Sequence, residues 1–157
     1  MALTSTAEEL DLTVTALLAD SVIAESGKLY FQGAGWNSVT AVQFPVQIPR
    51  IGIGLVVHVP YSQTNQPHQL SISLRDEDGG QRPLGQGPQG PEMAVRAMMN
   101  VGRPPHLVGG ETQNVVLAAN LDGLVFETPG AYEFLVLVDD NVKFKLPFRI
   151  LAPVVFQ

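Results

Sequence analysis

The sequence predicts an all-β protein: an antiparallel two-sheet sandwich of about eight or nine strands, immunoglobulin-like or jelly-roll-like. Apolar and polar residues alternate with a period of two in several segments, and turn residues separate these segments at short intervals. No long stretch has the period of a helix. Such alternation places one face of each strand against a core and the other towards solvent or a partner.

The alternating segments cover residues 12–18, 70–74, 115–121, 132–138 and 142–150. In the last segment, apolar residues alternate with Lys143, Lys145 and Arg149. We expect its apolar side chains to face the core: Val142, Phe144, Leu146, Phe148 and Ile150. Segments 51–59 and 134–138 are apolar on both faces, which predicts central strands or strands that meet another protein surface.

Turn residues mark the ends of these strands. Ser26 and Gly27 predict a tight turn, and residues 139–141 predict a hairpin between the last two strands. Residues 129–130 open the strand that contains Tyr132. A tyrosine at that place is either the tyrosine corner of an immunoglobulin-like fold or simply a buried aromatic side chain, and the sequence favours neither.

The length of 157 residues fits a single domain. We assign residues 11–154 to this domain, 1–10 to an N-terminal arm and 155–157 to a C-terminal end. Within the domain, residues 80–91 form a Gly/Pro/Gln segment that predicts a flexible loop. Pro83, Pro88 and Pro91 argue against strand pairing there, because proline lacks a backbone N–H.

Composition excludes several classes of protein. The chain has no cysteine, so it has neither disulfides nor thiolate metal sites. A net charge of −6 and the absence of a basic cluster argue against nucleic-acid binding. No apolar run approaches the roughly 20 residues of a membrane span, and no secretory signal precedes the domain, so we expect a cytoplasmic protein.

Candidate chemistry is sparse, and we predict no catalytic residue, cofactor or metal. His58 and His68 flank one connector and could lie together as metal ligands, although a hydrogen-bonded, half-buried histidine is the more ordinary outcome. The acidic turns at 76–78 and 139–140 could share a cation if they lay at one end of the fold. No Gly-x-Ser-x-Gly elbow and no dinucleotide fingerprint occurs.

Several short segments, taken in order, resemble an uncharacterised family of small bacterial proteins, largely actinobacterial. The segments are 16–20, 27–30, 33–36, 67–68, 78–79, 102–105, 129–132 and 147–150. The resemblance extends from about residue 12 to residue 151. It implies a β-sandwich and supplies no activity, cofactor or catalytic residue.

The leading hypothesis is a non-enzymatic protein that acts by protein–protein association, as a homo-oligomer or as a structural part of a larger complex. Only 15% of residues are charged, against about 25% in ordinary domains, and several strands are apolar on both faces. The candidate interface residues are Leu55, Val56, Met98, Leu135 and Leu137. The alternative is a ligand-binding module with a site in the loops at one end. Its candidate residues are Trp36, His58, Tyr61 and His68.

Overall fold

A computed structural model describes residues 11–154, and these residues form an all-β fold. The predicted arm at 1–10 and the C-terminal end at 155–157 lie outside the described residues. The strands are β1 (Thr13–Ala19), β2 (Ser21–Glu25), β3 (Lys28–Gln32), β4 (Ser38–Thr40), β5 (Val46–Pro60), β6 (Pro67–Asp76), β7 (Gln81–Arg82), β8 (Gln86–Gly87), β9 (Gly90–Pro91), β10 (Val95–Asn100), β11 (Thr112–Phe126), β12 (Gly130–Val138) and β13 (Asn141–Leu151). Nine of these strands have five or more residues. A 3₁₀ turn, Tyr61–Gln63, follows β5.

Two larger sheets contain most of the strands. The three-stranded sheet has the order β1-β5-β11, and the six-stranded sheet has the order β10-β6-β12-β13-β4, with β7 also pairing with β6. All pairs are antiparallel except β4 with β13. Ile53 and Leu55 of β5 share one buried core with Phe134 and Val136 of β12. The two sheets therefore pack face to face, and the inner face of each strand supplies the core.

An aromatic cluster fills one end of this core. Phe148 stacks on Phe134 at a centroid distance of 5.1 Å and on Tyr132 at 5.8 Å, while Phe126 meets Tyr132 edge-on at 4.8 Å. The Tyr132 hydroxyl donates a hydrogen bond to the Thr128 carbonyl oxygen at 2.6 Å. This bond ties the Tyr132 ring to the turn that precedes β12.

A hairpin of β2 and β3 folds over the outer face of the three-stranded sheet. Gly52 and Gly54 of β5 lie beneath it, because a Cβ at Gly54 would overlap the Phe31 ring and one at Gly52 would lie 3.1 Å from the Ser21 backbone. Part of the second apolar face predicted for 51–59 is therefore covered by the chain itself, and the two glycines allow the close approach.

The tight turns follow the prediction. Ser26 and Gly27 both have positive φ, and so do Asp139 and Asp140 between β12 and β13. Two consecutive residues of positive φ are required by a type I′ turn, whose twist matches that of the flanking strands. The hairpin at 139–141 is thereby confirmed.

A bulge corrects one prediction for the last strand. The register shifts between Val136 and Leu137, so Val142 pairs with Leu137 on the outer face and is 46% exposed. The prediction that Val142 faces the core was therefore wrong. One extra residue reverses the alternation. The core side chains beyond the bulge are as predicted: Leu146, Phe148 and Ile150 are buried and Phe144 is half-buried.

The segment 80–91 contains more pairing than its prolines suggested. β7 pairs with the end of β6, and β8 pairs with β9 as Gln86 with Pro91 and Gly87 with Gly90. The expectation that Pro91 takes no part in strand pairing was therefore wrong. Both strands of the second pair have only two residues, so one proline costs little there.

Candidate functional site

A polar cluster surrounds His68 at the beginning of β6. The imidazole Nδ1 lies 2.7 Å from Asp139 Oδ2, and Nε2 lies 2.7 Å from the Gln63 carbonyl oxygen. Asp139 Oδ1 accepts a second hydrogen bond from the Gln69 backbone N–H at 2.9 Å. His68 thus ties the 3₁₀ turn after β5 to the hairpin between β12 and β13.

Both partners of the His68 ring are acceptors, a carboxylate and a backbone carbonyl. Only the imidazolium, which has a proton on each nitrogen, donates to both. Burial by itself lowers the pKa of His68, but the hydrogen bonds to Gln63 and Asp139 outweigh it and raise that pKa above the ordinary value of 6.5. The pKa of Asp139 is lowered: burial opposes this shift, and the hydrogen bonds from His68 and Gln69 produce it.

Arg103 fixes the segment between β5 and β6, which includes Tyr61 and Thr64. Its Nε donates to Thr64 Oγ1 and its Nη2 donates to the Tyr61 carbonyl oxygen at 3.0 Å. The guanidinium carbon also lies 4.1 Å from the centroid of the Tyr61 ring, in a cation–π contact. The side chains of this cluster are satisfied by one another, which is typical of a structural lock rather than of a reactive centre.

A second feature is the side of the fold where β10 and β11 run along the edges of the two sheets. A cleft of about 90 Å³ lies between them. Its lining includes Arg96 of β10 but is otherwise aliphatic and comes from both sheets: Leu55, Leu70, Ile72, Val95, Ala97, Leu117, Ala118 and Ala119. On the opposite side, β1 contacts β13. The core is therefore less completely covered at β10 and β11.

The edge formed by β11 has 15 residues, and within residues 11–154 it pairs only with β5. Residues 113–120 of this strand carry no charge, no proline and no lysine. Its first irregularity is Gly123, which has φ of +71° and no partner in β5. Natural edge strands usually carry charged side chains, prolines or bulges, because an unprotected edge is a template for pairing with another strand.

The structure divides the predicted interface residues among different surfaces. Leu55 and Leu135 are each 1% exposed, so neither is available to a partner. Leu55 and Val56 are consecutive residues of β5, so their side chains point to opposite faces of the sheet. Leu55 faces the core, and Val56 is half-buried on the outer face. Met98 is 68% exposed, and Leu137 lies half-buried on the outer face of the six-stranded sheet. These five residues do not form one surface.

The predicted ligand residues are likewise separated. Tyr61 and His68 belong to the cluster described above, whereas Trp36 packs edge-on against Phe148 at the far end of the six-stranded sheet. His58 lies on the outer face of the three-stranded sheet, where its ring bonds to Thr15 and Asn114. The structure therefore does not bring the four residues to one end.

No group of three or more metal-ligating side chains occurs in the described part of the chain. The two histidines considered as a metal pair, His58 and His68, each have both ring nitrogens bonded to protein atoms. The acidic turns are also apart. Asp139 pairs with Gln69 near the beginning of β6 and Asp76 ends that strand, a separation of about 23 Å along it. They cannot share a cation.

A family model matches residues 14–151 of this chain, and its description is a family of unknown function, DUF6941. The chain belongs to this family. No curated protein matches the DUF6941 chain. Among residues 11–154, no helix is long and apolar enough to cross a membrane.

Three solved structures show distant similarity to this chain. An alkylpurine DNA glycosylase, AlkC, from Pseudomonas fluorescens is 11% identical to this chain with a TM-score of 0.46. The match covers 90% of this chain and 30% of the glycosylase. A family 123 glycoside hydrolase from Clostridium perfringens is 14% identical with a TM-score of 0.34, and the coverages are 90% and 28%. A protein assigned as ApaA from Bordetella pertussis is 18% identical with a TM-score of 0.28, and the coverages are 92% and 96%. These similarities carry no information on activity.

Sequence reasoning missed the edge status of β11 and the role of Arg103. The uncharged run at 113–120 was visible, but only the sheet order shows that one side of this strand is open. Arg103 offered no local signal, because its partners Tyr61 and Thr64 lie about 40 residues earlier in the chain.

Proposed function

We propose that this protein acts by protein–protein association through the side of the fold formed by β10 and β11, and not as an enzyme. One observation carries the proposal: the 15-residue edge of β11 pairs on only one side within the described residues and borders an aliphatic cleft. A partner strand placed there would bond to the free backbone groups of β11 and cover the cleft. Strand addition at an exposed edge is a general mode of protein recognition.

The chemistry of the edge supports the same proposal. Residues 113–120 carry no charge, so pairing with β11 buries no charged side chain of that strand, and Arg96 at the cleft is exposed. Ala97 and Ala118 are exposed on the two edges, and such small side chains let another backbone approach closely. Val95 and Met98 of β10 are 38% and 68% exposed, which adds apolar surface next to the cleft.

Photo-crosslinking tests this proposal on the full chain. A photoreactive phenylalanine analogue replaces Ala118 in one variant and Tyr30 in a matched control, since Tyr30 is also exposed but lies on the β2–β3 hairpin. After irradiation of producing cells, we expect one or a few discrete protein adducts at position 118 and none at position 30. Absence of adducts at position 118, or equal labelling at both positions, would contradict the proposal.

We also propose that the fold is immunoglobulin-like rather than a jelly roll. The sheet order β1-β5-β11 corresponds to strands A, B and E, and β10-β6-β12-β13 corresponds to C′, C, F and G. The bond from Tyr132 to Thr128 supports this assignment, because a tyrosine corner lies near the beginning of strand F. The seven strands of these two orders then have the neighbours that an immunoglobulin-like fold requires. The β2–β3 hairpin is an insertion after the first strand.

A further inference from the structure

We infer that the occupant of the β11 edge is β11 of a second copy of this chain, paired antiparallel about a two-fold axis. This inference rests on the proposed function and adds the identity of the partner. The two three-stranded sheets would join into one continuous sheet of six strands. A two-fold interface uses the same surface on both copies, so that surface must be complementary to itself.

The charge pattern of β11 meets this requirement. In an antiparallel pair centred on Leu117, Val115 lies opposite Ala119 and Gln113 lies opposite Leu121. No like charges meet anywhere between residues 113 and 120. The single carboxylate of the strand, Asp122, is already bonded to Arg50 of β5 at 2.6 Å. Two chains of net charge −6 repel as whole molecules, and the uncharged segment adds no like-charge contact of its own to that repulsion.

The inner-facing side chains of β11 supply the second argument. Val115, Leu117 and Ala119 are half-buried and pack against the core. A second β11 added in the plane of the sheet would place its own copies of these side chains between the two sheets, over the cleft. A volume of about 90 Å³ far exceeds the ~10–15 Å³ that one water molecule needs, so it accepts an aliphatic group. Each copy would thereby cover the open side of the other.

Charge substitutions at Ala118 test the pairing directly. Ala118 is exposed, so Ala118→Lys and Ala118→Glu leave the core of the monomer unchanged. Each variant places like charges near one another across the two-fold axis, and we expect the dimer dissociation constant to rise by about tenfold or more. An equimolar mixture of the two variants is expected to form a heterodimer, because the charges are then opposite. Ala34→Lys, also exposed but outside the strands, is the matched control.

Native mass spectrometry and light scattering of the purified full chain give the readout. We expect a wild-type dimer of twice 16.9 kDa, a larger monomer fraction for each Ala118 variant alone at the same concentration, and a mixed dimer when they are combined. A monomeric wild type at high micromolar concentration, or a dimer that neither charge disturbs, would overturn the inference. If the wild type is monomeric but position 118 crosslinks to a different protein, the proposed function stands and only the second copy is excluded. If both experiments fail, both proposals fall.

Discussion

The imidazole of His68 donates to Asp139 across the ends of β6 and β12, with 2.7 Å between Nδ1 and Oδ2. His68 is 3% exposed, whereas the Asp139 side chain is 48% exposed. The second ring nitrogen faces the Gln63 carbonyl oxygen, so the folded state favours the doubly protonated ring. This pair therefore makes the stability of the fold depend on pH.

Stability should be greatest where His68 is charged and Asp139 is ionised. The folded pKa of His68 lies above its ordinary 6.5, so its contribution is complete below 6.5 and is lost as pH rises through the folded pKa. The folded pKa of Asp139 lies below its ordinary 3.8, so its contribution is present above 3.8 and is lost as pH falls through the folded pKa. We expect the pair to stabilise most between 3.8 and 6.5, as measured by urea unfolding at a series of pH values.

Two variants separate this pair from other titrating groups. Asp139→Asn keeps a side-chain oxygen for the Gln69 N–H but removes the negative charge, so the pKa of His68 should fall in an NMR titration. His68→Gln should remove the loss of stability on the alkaline side. His106→Gln, at an exposed site between β10 and β11, is the matched control. An unchanged pH profile in His68→Gln would show that other groups produce the dependence.

Asn120 holds the β2–β3 hairpin on the sheet. Its side chain accepts from the Val22 N–H at 3.1 Å and donates to the Val22 carbonyl oxygen at 2.9 Å. Val22 is 1% exposed, so Asn120→Ala leaves two backbone groups without these partners and should cost about 1–3 kcal/mol. Asn120→Asp should also destabilise, because a carboxylate cannot donate to the carbonyl. Urea unfolding measures both, and an equally large effect of Asn100→Ala, at an exposed site, would contradict a specific role.

Gly54 is required for the contact between the hairpin and the sheet. In Gly54→Ala the new methyl group overlaps the Phe31 ring and lies 3.1 Å from a methyl of Val22, so we expect a loss of about 1–3 kcal/mol. Gly109→Ala is the control, since its Cβ meets nothing within 4 Å. In a double-mutant cycle measured by thermal unfolding, Phe31→Ala should relieve part of the loss at Gly54. Additive effects would show that the loss at Gly54 does not come from the overlap with Phe31.

Tyr132 links the aromatic cluster to the turn before β12. Tyr132→Phe keeps the ring contacts with Phe126 and Phe148 but removes the 2.6 Å bond to the Thr128 carbonyl oxygen. We expect a loss of about 1 kcal/mol in the free energy of unfolding, with an unchanged urea m-value. Tyr30→Phe, at an exposed hydroxyl, should change neither quantity. A comparable loss there would mean that the bond from Tyr132 to Thr128 is not the source.

The sequence alone was sufficient for the all-β class, the family resemblance, the two tight turns and most of the core. These features depend on residues close together in the chain: alternation along β13 and two residues of positive φ at Asp139 and Asp140 are local properties. The same local argument was wrong for Val142, because the bulge between Val136 and Leu137 depends on how β12 pairs with β13.

Relationships between distant segments were decided only by the tertiary structure. Pairing and packing bring His68 to Asp139, Asn120 to Val22, and Gly54 beneath Phe31. The local sequence around each residue does not identify the distant residue that it contacts. The candidate interface depends on the same information. The sequence determined that residues 113–120 form an uncharged strand, but whether such a strand is central or exposed is a property of the sheet order. Backbone hydrogen bonding is nearly independent of side-chain identity, which is why the open edge of β11 could be recognised only in the folded molecule.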